Sequence, residues 1–244
     1  QISIDETGDW VMIGGAAEYR MNRFDECAVE EAVLIKDAHA DTVVDVITVG
    51  PERAEATVRR AMGMGADNGA HILTEGEGYQ DAFATAGAIA GYAREKHYDL
   101  ILTGAMSEDL MQGQVGQLVA AHLDVACISN TIHAELALDG KTIYGDREVE
   151  GGRREVGDIR LPALLTIQTG INTPRYPALS KLLRANSRDL DIVEADMAGD
   201  VSIPQALAGV SHPEKMRDAV FLKGSAAEKA EQLVRILKER SLMS

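Results

Sequence analysis

Cysteines, aromatic residues and long hydrophobic runs are scarce in this chain. Its two cysteines, Cys27 and Cys127, belong to neither a CxxC motif nor a Cys/His cluster. This argues against a disulfide framework and a structural zinc site, and it favours a reducing compartment. Aromatic residues make up only 4% of the chain, which is too few for a platform that stacks nucleic-acid bases. No run reaches the roughly 18 consecutive apolar residues that a membrane span requires.

Positive charge is also in short supply. The chain has 24 Lys and Arg against 39 Asp and Glu, a formal net charge of -15, which argues against general binding to nucleic-acid phosphates or anionic lipid. Its six histidines are scattered, and neither HExxH nor GxSxG occurs. Acid pairs such as Glu30-Glu31 are interpreted as solvated helix faces. We therefore predict neither an acid/base catalytic site nor a metal site, a pattern that favours binding or electron transfer over group transfer.

Helical and strand-like segments alternate along the first half of the chain. Apolar residues at helical spacing mark the helices, and short apolar or β-branched runs mark the strands. This alternation predicts an α/β fold with a Rossmann-like, doubly wound and mostly parallel sheet, covered by helices on both faces. The predicted helices are 24–38, a helix with Pro51 in its first turn that Gly63 and Gly65 close, 82–96 and 112–123. The predicted strands are 42–49, 71–73 and 99–103.

Turn signals follow in the second half. Asp139-Gly140 is a strong hairpin signal and Gly151-Gly152 a weaker one, so antiparallel strands are expected before a returning strand at 163–167. The stretch from 187 to 223 reads as irregular. A similar strand-and-turn pattern over residues 2–9 predicts a hairpin near the beginning.

A glycine-bearing loop follows the strand at 99–103. A glycine at the carboxyl end of a strand, then a loop and a helix start, is where open parallel sheets hold nucleotides. Neither GxGxxG nor GxxxxGK[ST] is present, so an ordinary loop remains the alternative. Before the first helix, Asn22 is interpreted as a helix cap, with contact between a nucleotide and Asn22 or Arg23 as the alternative.

A proline-bearing segment follows the strand at 163–167. Pro174 and Pro177 enclose Arg175 and Tyr176, and a short amphipathic segment with Leu179 comes next. Prolines stiffen a loop against helix and sheet, and a stiff loop with Arg, Tyr and an exposed leucine suits docking. An ordinary strand-to-helix connector is the alternative.

Four blocks of sequence, in this order and spacing, resemble the β subunit of the electron transfer flavoproteins over nearly the full length. They are MNRFDECAVEEAVLIKD, TVGPERAEATVRRAMGMGADNGAHI, DLILTGAMSEDLMQGQVGQLVAAHLD, and EVEGGRREVGDIRLPALLTI followed by NTPRYPALSKLLRAN. The resemblance implies an adenine-nucleotide α-hydrolase-like sheet and a heterodimer with a larger α subunit. FAD would lie mainly on that α subunit, and the β subunit would hold a structural AMP.

The resemblance also implies a function. Electrons would pass from acyl-CoA dehydrogenase-type donors to a quinone reductase or another acceptor, in the cytoplasm or, for a eukaryotic protein, in the mitochondrial matrix. The implied nucleotide-binding residues are Asn22, Arg23, Phe24, Asp25, Val49, Gly104, Ala105, Met106, Ser107, Glu108, Asp109, Leu110, Met111, Gln112, Gly113, Gln114 and Val115. The implied docking residues are Arg175, Tyr176, Leu179, Leu182 and Leu183.

Several positions depart from the family pattern. Arg23 replaces a proline, residues 106–111 lack the usual Gln-Ala-Ile-Asp run, and the lysine-rich tail after the docking loop is reduced. Gln114-Val115-Gly116 is shared with bifurcating members, which bind a second FAD in place of AMP and use NADH, but Gln117 stands where proline is common. AMP is the expectation and a second FAD the alternative. The family's first strand, which also touches the nucleotide, has no counterpart before Gln1, and we expect it to be missing, cleaved or replaced.

The chain is expected to divide into a nucleotide-binding α/β domain at 1–186 and a C-terminal arm at 187–244. A helix that begins with the capping-box pattern Ser225–Glu228 ends this arm and would pack on the partner subunit or, alternatively, on the chain itself. Two other classes remain open: a stand-alone adenine-nucleotide sensor of the universal-stress type, and a structural subunit that has lost its nucleotide. Both predict a complex without flavin absorbance.

Overall fold

A computed structural model describes residues 3–8, 10–12, 18–75, 79–194, 207–213 and 219–243. The chain divides into two compact units, Gln1–Gly209 and Val210–Ser244. The strands are β1 Ser3–Ile4, β2 Val11–Met12, β3 Asp45–Gly50, β4 Asn68–Leu73, β5 Leu100–Gly104, β6 Ala126–Leu136, β7 Thr142–Val149, β8 Arg153–Arg160, β9 Ala163–Ile167 and β10 Asp191–Glu194. The helices are α1 Arg23–Ala38, α2 Glu55–Met64, α3 Ala82–Lys96, α4 Val115–Leu123, α5 Leu179–Asn186 and α6 Ala226–Glu239.

The predicted α/β fold is confirmed, with its main strands in two sheets. In the first sheet β10, β4 and β3 run parallel in that order. In the second, of order β5-β9-β6-β7-β8, the first three strands are parallel and the last three antiparallel. Among the described residues, β3 and β5 each pair with a strand on one side only.

Both predicted hairpins of the second half are present, and their strands are longer than predicted because cross-strand pairing extends them. The short β1–β2 hairpin agrees with the pattern at the beginning of the chain, although Ile2 and Asp9 lie outside the described residues. The stretch from 187 to 223 was predicted to be irregular, and β10 corrects this. Its four residues are all exposed, so it shows no alternation that a sequence pattern could detect.

Helix ends follow local chemistry. Acidic Asp25 and Glu26 stand in the first turn of α1 and Lys36 in its last turn, which complements the helix dipole. At α3, the side chain of Asp81 accepts the backbone N–H groups of Phe83 and Ala84. In the second unit, α6 begins with the predicted capping box of Ser225 and Glu228. No helix among the described residues is both long and apolar enough to cross a bilayer.

The core lies around β9, whose five residues are all buried. Leu164 packs with α3 and α4 on one face, while Leu165 and Ile167 pack with Cys27 and Ala28 of α1 on the other. The carboxyl end of β5 therefore lies between the first turn of α1 and the first turn of α4. The sequence predicted a site at this edge of the sheet.

Candidate functional site

The β5–α4 loop, residues 104–114, leaves the carboxyl end of β5 in close contact with α1. The N–H of Gly104 donates a hydrogen bond to Asp25 Oδ1 at 2.7 Å. A Cβ on Gly104 would stand 2.8 Å from that same oxygen and 2.8 Å from Phe24 Cβ. Glycine is needed here because the backbone of β5 lies directly against the first turn of α1.

Asn22 joins this loop to α1 by its side chain. It occupies the N-cap position of α1 but makes no capping hydrogen bond, so the interpretation of Asn22 as a side-chain cap is wrong. Its amide instead donates to Asp25 Oδ2 and to the carbonyl of Met106, both at 2.8 Å. Burial raises the pKa of Asp25, opposed by the hydrogen bonds from Asn22 and Gly104.

The middle of the loop folds back on itself. The N–H of Ser107 donates to the carbonyl of Gln112 at 2.9 Å, and Met111 adopts a left-handed conformation with φ of 55°. These turns delay the next helix, which begins at Val115 and not at Gln112 as predicted. The carboxylate of Glu108 accepts the backbone N–H of Arg23 at 3.0 Å, so a negative group already stands at the N-terminus of α1.

The first turn of α4 lacks a capping side chain. Gln114 is its N-cap residue and makes no side-chain cap hydrogen bond. Thr103 Oγ1, Gln117 Oε1 and Asn22 Oδ1 are buried and have no hydrogen-bond partner among the residues that the structure describes. Open backbone N–H groups and unpaired polar atoms at one sheet edge can accept an anionic, hydrogen-bonding ligand.

The structure brings most of the predicted nucleotide residues together, since the loop and the first turn of α1 are joined by hydrogen bonds. Val49 lies in the other sheet, in β3 opposite Ile72 of β4. Tyr79, which sequence reasoning did not select, receives a hydrogen bond from the side chain of Gln112 at 3.3 Å.

The segment at residues 172–186, called the docking segment below, exposes three large apolar side chains. Tyr176, Leu179 and Leu183 are 85%, 72% and 62% exposed. Pro177 is buried, and Leu182 packs so closely on α2 that a Cβ on Gly63 would stand 2.6 Å from Leu182 Cδ2. Three of the five predicted docking side chains therefore face solvent, whereas Leu182 and Arg175 face the protein.

Two acidic residues of α1 hold the beginning of this segment. Glu30 and Glu31 are only 4% and 7% exposed, so the interpretation of this pair as a solvated helix face is wrong. Glu30 receives a bidentate contact from Arg175, and Glu31 accepts the side-chain amide of Asn172 at 2.9 Å. A pattern of helical spacing could not find them, because their partners lie far away along the chain.

Glu31 yields a pH prediction. Burial raises its pKa, while Asn172 and His133 lower it and Glu30 raises it. A carboxyl group whose pKa is raised by folding binds protons better in the native state, so its contribution to stability falls as pH rises from its unfolded value through its native value. In Glu31→Gln, the side-chain oxygen can still accept the hydrogen bond from Asn172, and the loss of stability at high pH is removed because glutamine does not ionise.

We expect the free energy of unfolding of Glu31→Gln to exceed that of the unmodified protein at pH 8. The difference should shrink toward about pH 4, near the unfolded pKa of glutamate. Denaturant titrations at several pH values measure it. Glu148→Gln at an exposed position of β7 is the control, and a difference that does not change with pH would contradict the assignment.

Metal and thiol chemistry find no support at these positions. Within the described ranges, no group of three or more His, Cys, Asp or Glu side chains could hold a metal ion. Both cysteines are free, Cys27 buried and Cys127 exposed. The geometry shows buried polar side chains at the edge of a sheet and, against another part of α1, a proline-bearing segment with exposed apolar side chains.

Comparison with known proteins identifies the family. The sequence model of the family described as "Electron transfer flavoprotein domain" matches residues 9–198. The chain is 32% identical to "Electron transfer flavoprotein subunit beta" of Bacillus subtilis, over 92% of this chain and 88% of that relative. It is 30% identical to the subunit of the same name from Bos taurus, over 98% of this chain and 91% of that relative.

The chain belongs to the electron transfer flavoprotein β-subunit family. The resemblance seen in four sequence blocks is thereby confirmed. A third relative of the same name, from Bradyrhizobium diazoefficiens, is 33% identical over 84% of this chain and 81% of its own length. The role of an electron transfer flavoprotein β subunit therefore applies to this chain, and the family name implies an α-subunit partner and a flavin in the complex.

Proposed function

We propose that this chain is the β subunit of a heterodimeric electron transfer flavoprotein that carries electrons from acyl-CoA dehydrogenase-type donors to a quinone reductase or another acceptor. FAD is held mainly by the α subunit. The observation that supports this proposal most is the preformed docking segment, with Leu179 on its exposed face. A brief encounter between two redox proteins needs a small rigid anchor more than a large interface.

AMP is the proposed ligand of the β5–α4 loop. The uncapped start of α4 offers backbone N–H groups to a phosphate. The unpaired oxygens of Asn22, Thr103 and Gln117 offer acceptors to hydroxyl or amino groups. In this proposal Asn22 and Asp25 fix the loop, and the nucleotide has a structural role.

The C-terminal helix is a proposed contact with the α subunit. On α6, Leu233 and Val234 remain exposed although they belong to its apolar face. A helix with one apolar face normally buries it. The proposed compartment is the cytoplasm, or the mitochondrial matrix if the protein is eukaryotic, because both thiols are unpaired.

A second candidate is a bifurcating β subunit that binds a second FAD in place of AMP and uses NADH. It is favoured by Gln114-Val115-Gly116, which bifurcating members share. The middle of the loop, Glu108 to Met111, is exposed and would border a larger ligand in this candidate.

Reduction of the α/β complex separates these functions. A medium-chain acyl-CoA dehydrogenase with its acyl-CoA substrate should bleach the flavin absorbance near 450 nm, and NADH alone should not. Rapid bleaching by NADH would favour the bifurcating candidate. Failure of every acyl-CoA dehydrogenase tested, with another dehydrogenase succeeding, would keep the carrier role and reject the proposed donor.

A further inference from the structure

We infer that Arg175 is a positioning residue that locks the docking segment onto α1 through Glu30 and Asp37, so that Tyr176, Leu179 and Leu183 are held at the surface before a donor arrives. The inference rests on the proposed docking function and gives it a mechanism. It assigns the Arg175 guanidinium to contacts with α1, whereas the sequence resemblance places Arg175 among residues that touch the donor.

The geometry of this contact is that of a fork. Arg175 Nε donates to both oxygens of Glu30, at 3.0 and 2.9 Å, and Nη2 donates to Oε1 at 2.9 Å. Nη2 also donates to Asp37 Oδ2 at 3.0 Å, and the backbone N–H of Arg175 donates to Glu30 Oε2 at 2.9 Å. A planar guanidinium can make these contacts together, and an ammonium group cannot.

The Glu30 carboxylate depends on Arg175 because it is buried. The Glu30 side chain is 5% exposed and that of Arg175 is 31% exposed. A carboxylate so deeply buried is costly without a partner. The backbone of the segment is therefore fixed at Arg175, immediately before the most exposed ring of the surface, that of Tyr176.

Neighbouring contacts fix both sides of this point. Asn172 donates to Glu31 Oε2 at 2.9 Å and to the carbonyl of Cys27 at 3.0 Å, which holds the segment's beginning on the same helix. Arg59 of α2 donates to the carbonyls of Ala185 and Arg188, which holds the end of α5. Between these anchors the apolar side chains of Tyr176, Leu179 and Leu183 remain exposed, beside the polar side chains of Ser180, Lys181 and Arg184.

A rigid anchor binds better than a mobile one because the ordering cost has already been met. If Arg175 acts through Leu179, loosening the segment should weaken docking while leaving the flavin unchanged. Its effect should also vanish once Leu179 is gone, because a loop without its anchor gains little from being ordered. A residue that touches the donor directly would instead act independently of Leu179.

The test is a double-mutant cycle with Arg175→Met and Leu179→Ala in the α/β complex, with an acyl-CoA-reduced medium-chain acyl-CoA dehydrogenase as the donor. We expect Arg175→Met to lower kcat/KM by about tenfold through a higher KM, with kcat and flavin content retained. In the Leu179→Ala background, the same substitution should lower kcat/KM by less than about a further twofold. Hydrogen exchange at the amides of residues 176–184 should accelerate by at least about tenfold.

Two further variants guard against a simple folding defect. Glu30→Gln combined with Arg175→Met removes both charges of the pair, and should fold while still releasing the segment. Lys36→Met is the control, because Lys36 also lies on α1 but pairs with Asp67, in the turn between α2 and β4, and not with the docking segment. It should leave KM and the exchange at 176–184 unchanged.

Each outcome decides one question. Additive losses from Arg175→Met and Leu179→Ala, with unchanged hydrogen exchange, would overturn the positioning role and indicate direct contact with the donor. An unchanged KM for Arg175→Met would overturn it as well. If Leu179→Ala itself had no effect while exchange at 176–184 accelerated in Arg175→Met, the lock would stand and the proposed docking function would fail.

Discussion

Leu179→Ala is expected to lower kcat/KM for electron transfer from the donor dehydrogenase by about thirtyfold, with flavin content and stability unchanged. Leu179 is 72% exposed and begins α5, so the folded protein gains little from its side chain. A central apolar anchor in a small interface is commonly worth about 2 kcal/mol, which corresponds to roughly thirtyfold in affinity. Because docking precedes transfer, the loss should appear in KM.

Leu138→Ala is the matched control for this variant. Leu138 is 99% exposed at the turn between β6 and β7. The Leu138→Ala variant therefore removes the same side chain from a different surface. Stopped-flow reduction of the complex over a range of donor concentrations measures both variants. Equal rates for Leu179→Ala and the unmodified complex would remove the docking role from this segment.

Gly116→Ala is expected to destabilise the protein by about 2 kcal/mol, an unusual cost for adding one methyl group to a helix. A Cβ at Gly116 would stand 2.5 Å from Thr103 Oγ1 and 2.5 Å from Thr166 Cγ2. Thr166 cannot turn away freely, because its hydroxyl accepts the backbone N–H of Asn130 at 2.9 Å. Helix α4 would have to move off the sheet, and the nucleotide loop would move with it.

Gly91→Ala is the control for the same chemical change. Gly91 lies in α3, and no atom stands within 4 Å of its would-be Cβ. Alanine is the better helix former, so this variant should gain about 1 kcal/mol. Thermal unfolding of the complex should therefore shift downward for Gly116→Ala and upward for Gly91→Ala, and bound nucleotide should decrease only in the former. A neutral Gly116→Ala would contradict the close packing of α4 on the sheet.

Local patterns predicted the elements that depend on local chemistry. Helix 82–96 and strand 163–167 have the bounds that periodicity indicated, and the capping box at Ser225 begins α6 as predicted. Strand β10 was missed because it is short and exposed, and because β4 alone specifies its pairing.

The candidate sites also differ in how far local sequence predicted them. The sequence placed the glycine loop at the carboxyl end of β5, since parallel sheets place loops there. It did not reveal that Glu30 and Glu31 are buried, because their burial depends on Arg175 and Asn172, about 140 residues further along the chain. Helical spacing tells which positions share a face, and it cannot tell which distant side chain will neutralise a charge on that face.

The direct test of the proposed electron-carrier role is the cofactor content of the purified α/β complex. The visible spectrum gives the flavin, and mass spectrometry of the denatured complex identifies each released nucleotide. We expect one FAD and one AMP per heterodimer, and two FAD would select the bifurcating candidate. A correctly folded complex with no flavin would contradict electron transfer and leave a nucleotide sensor or a structural subunit.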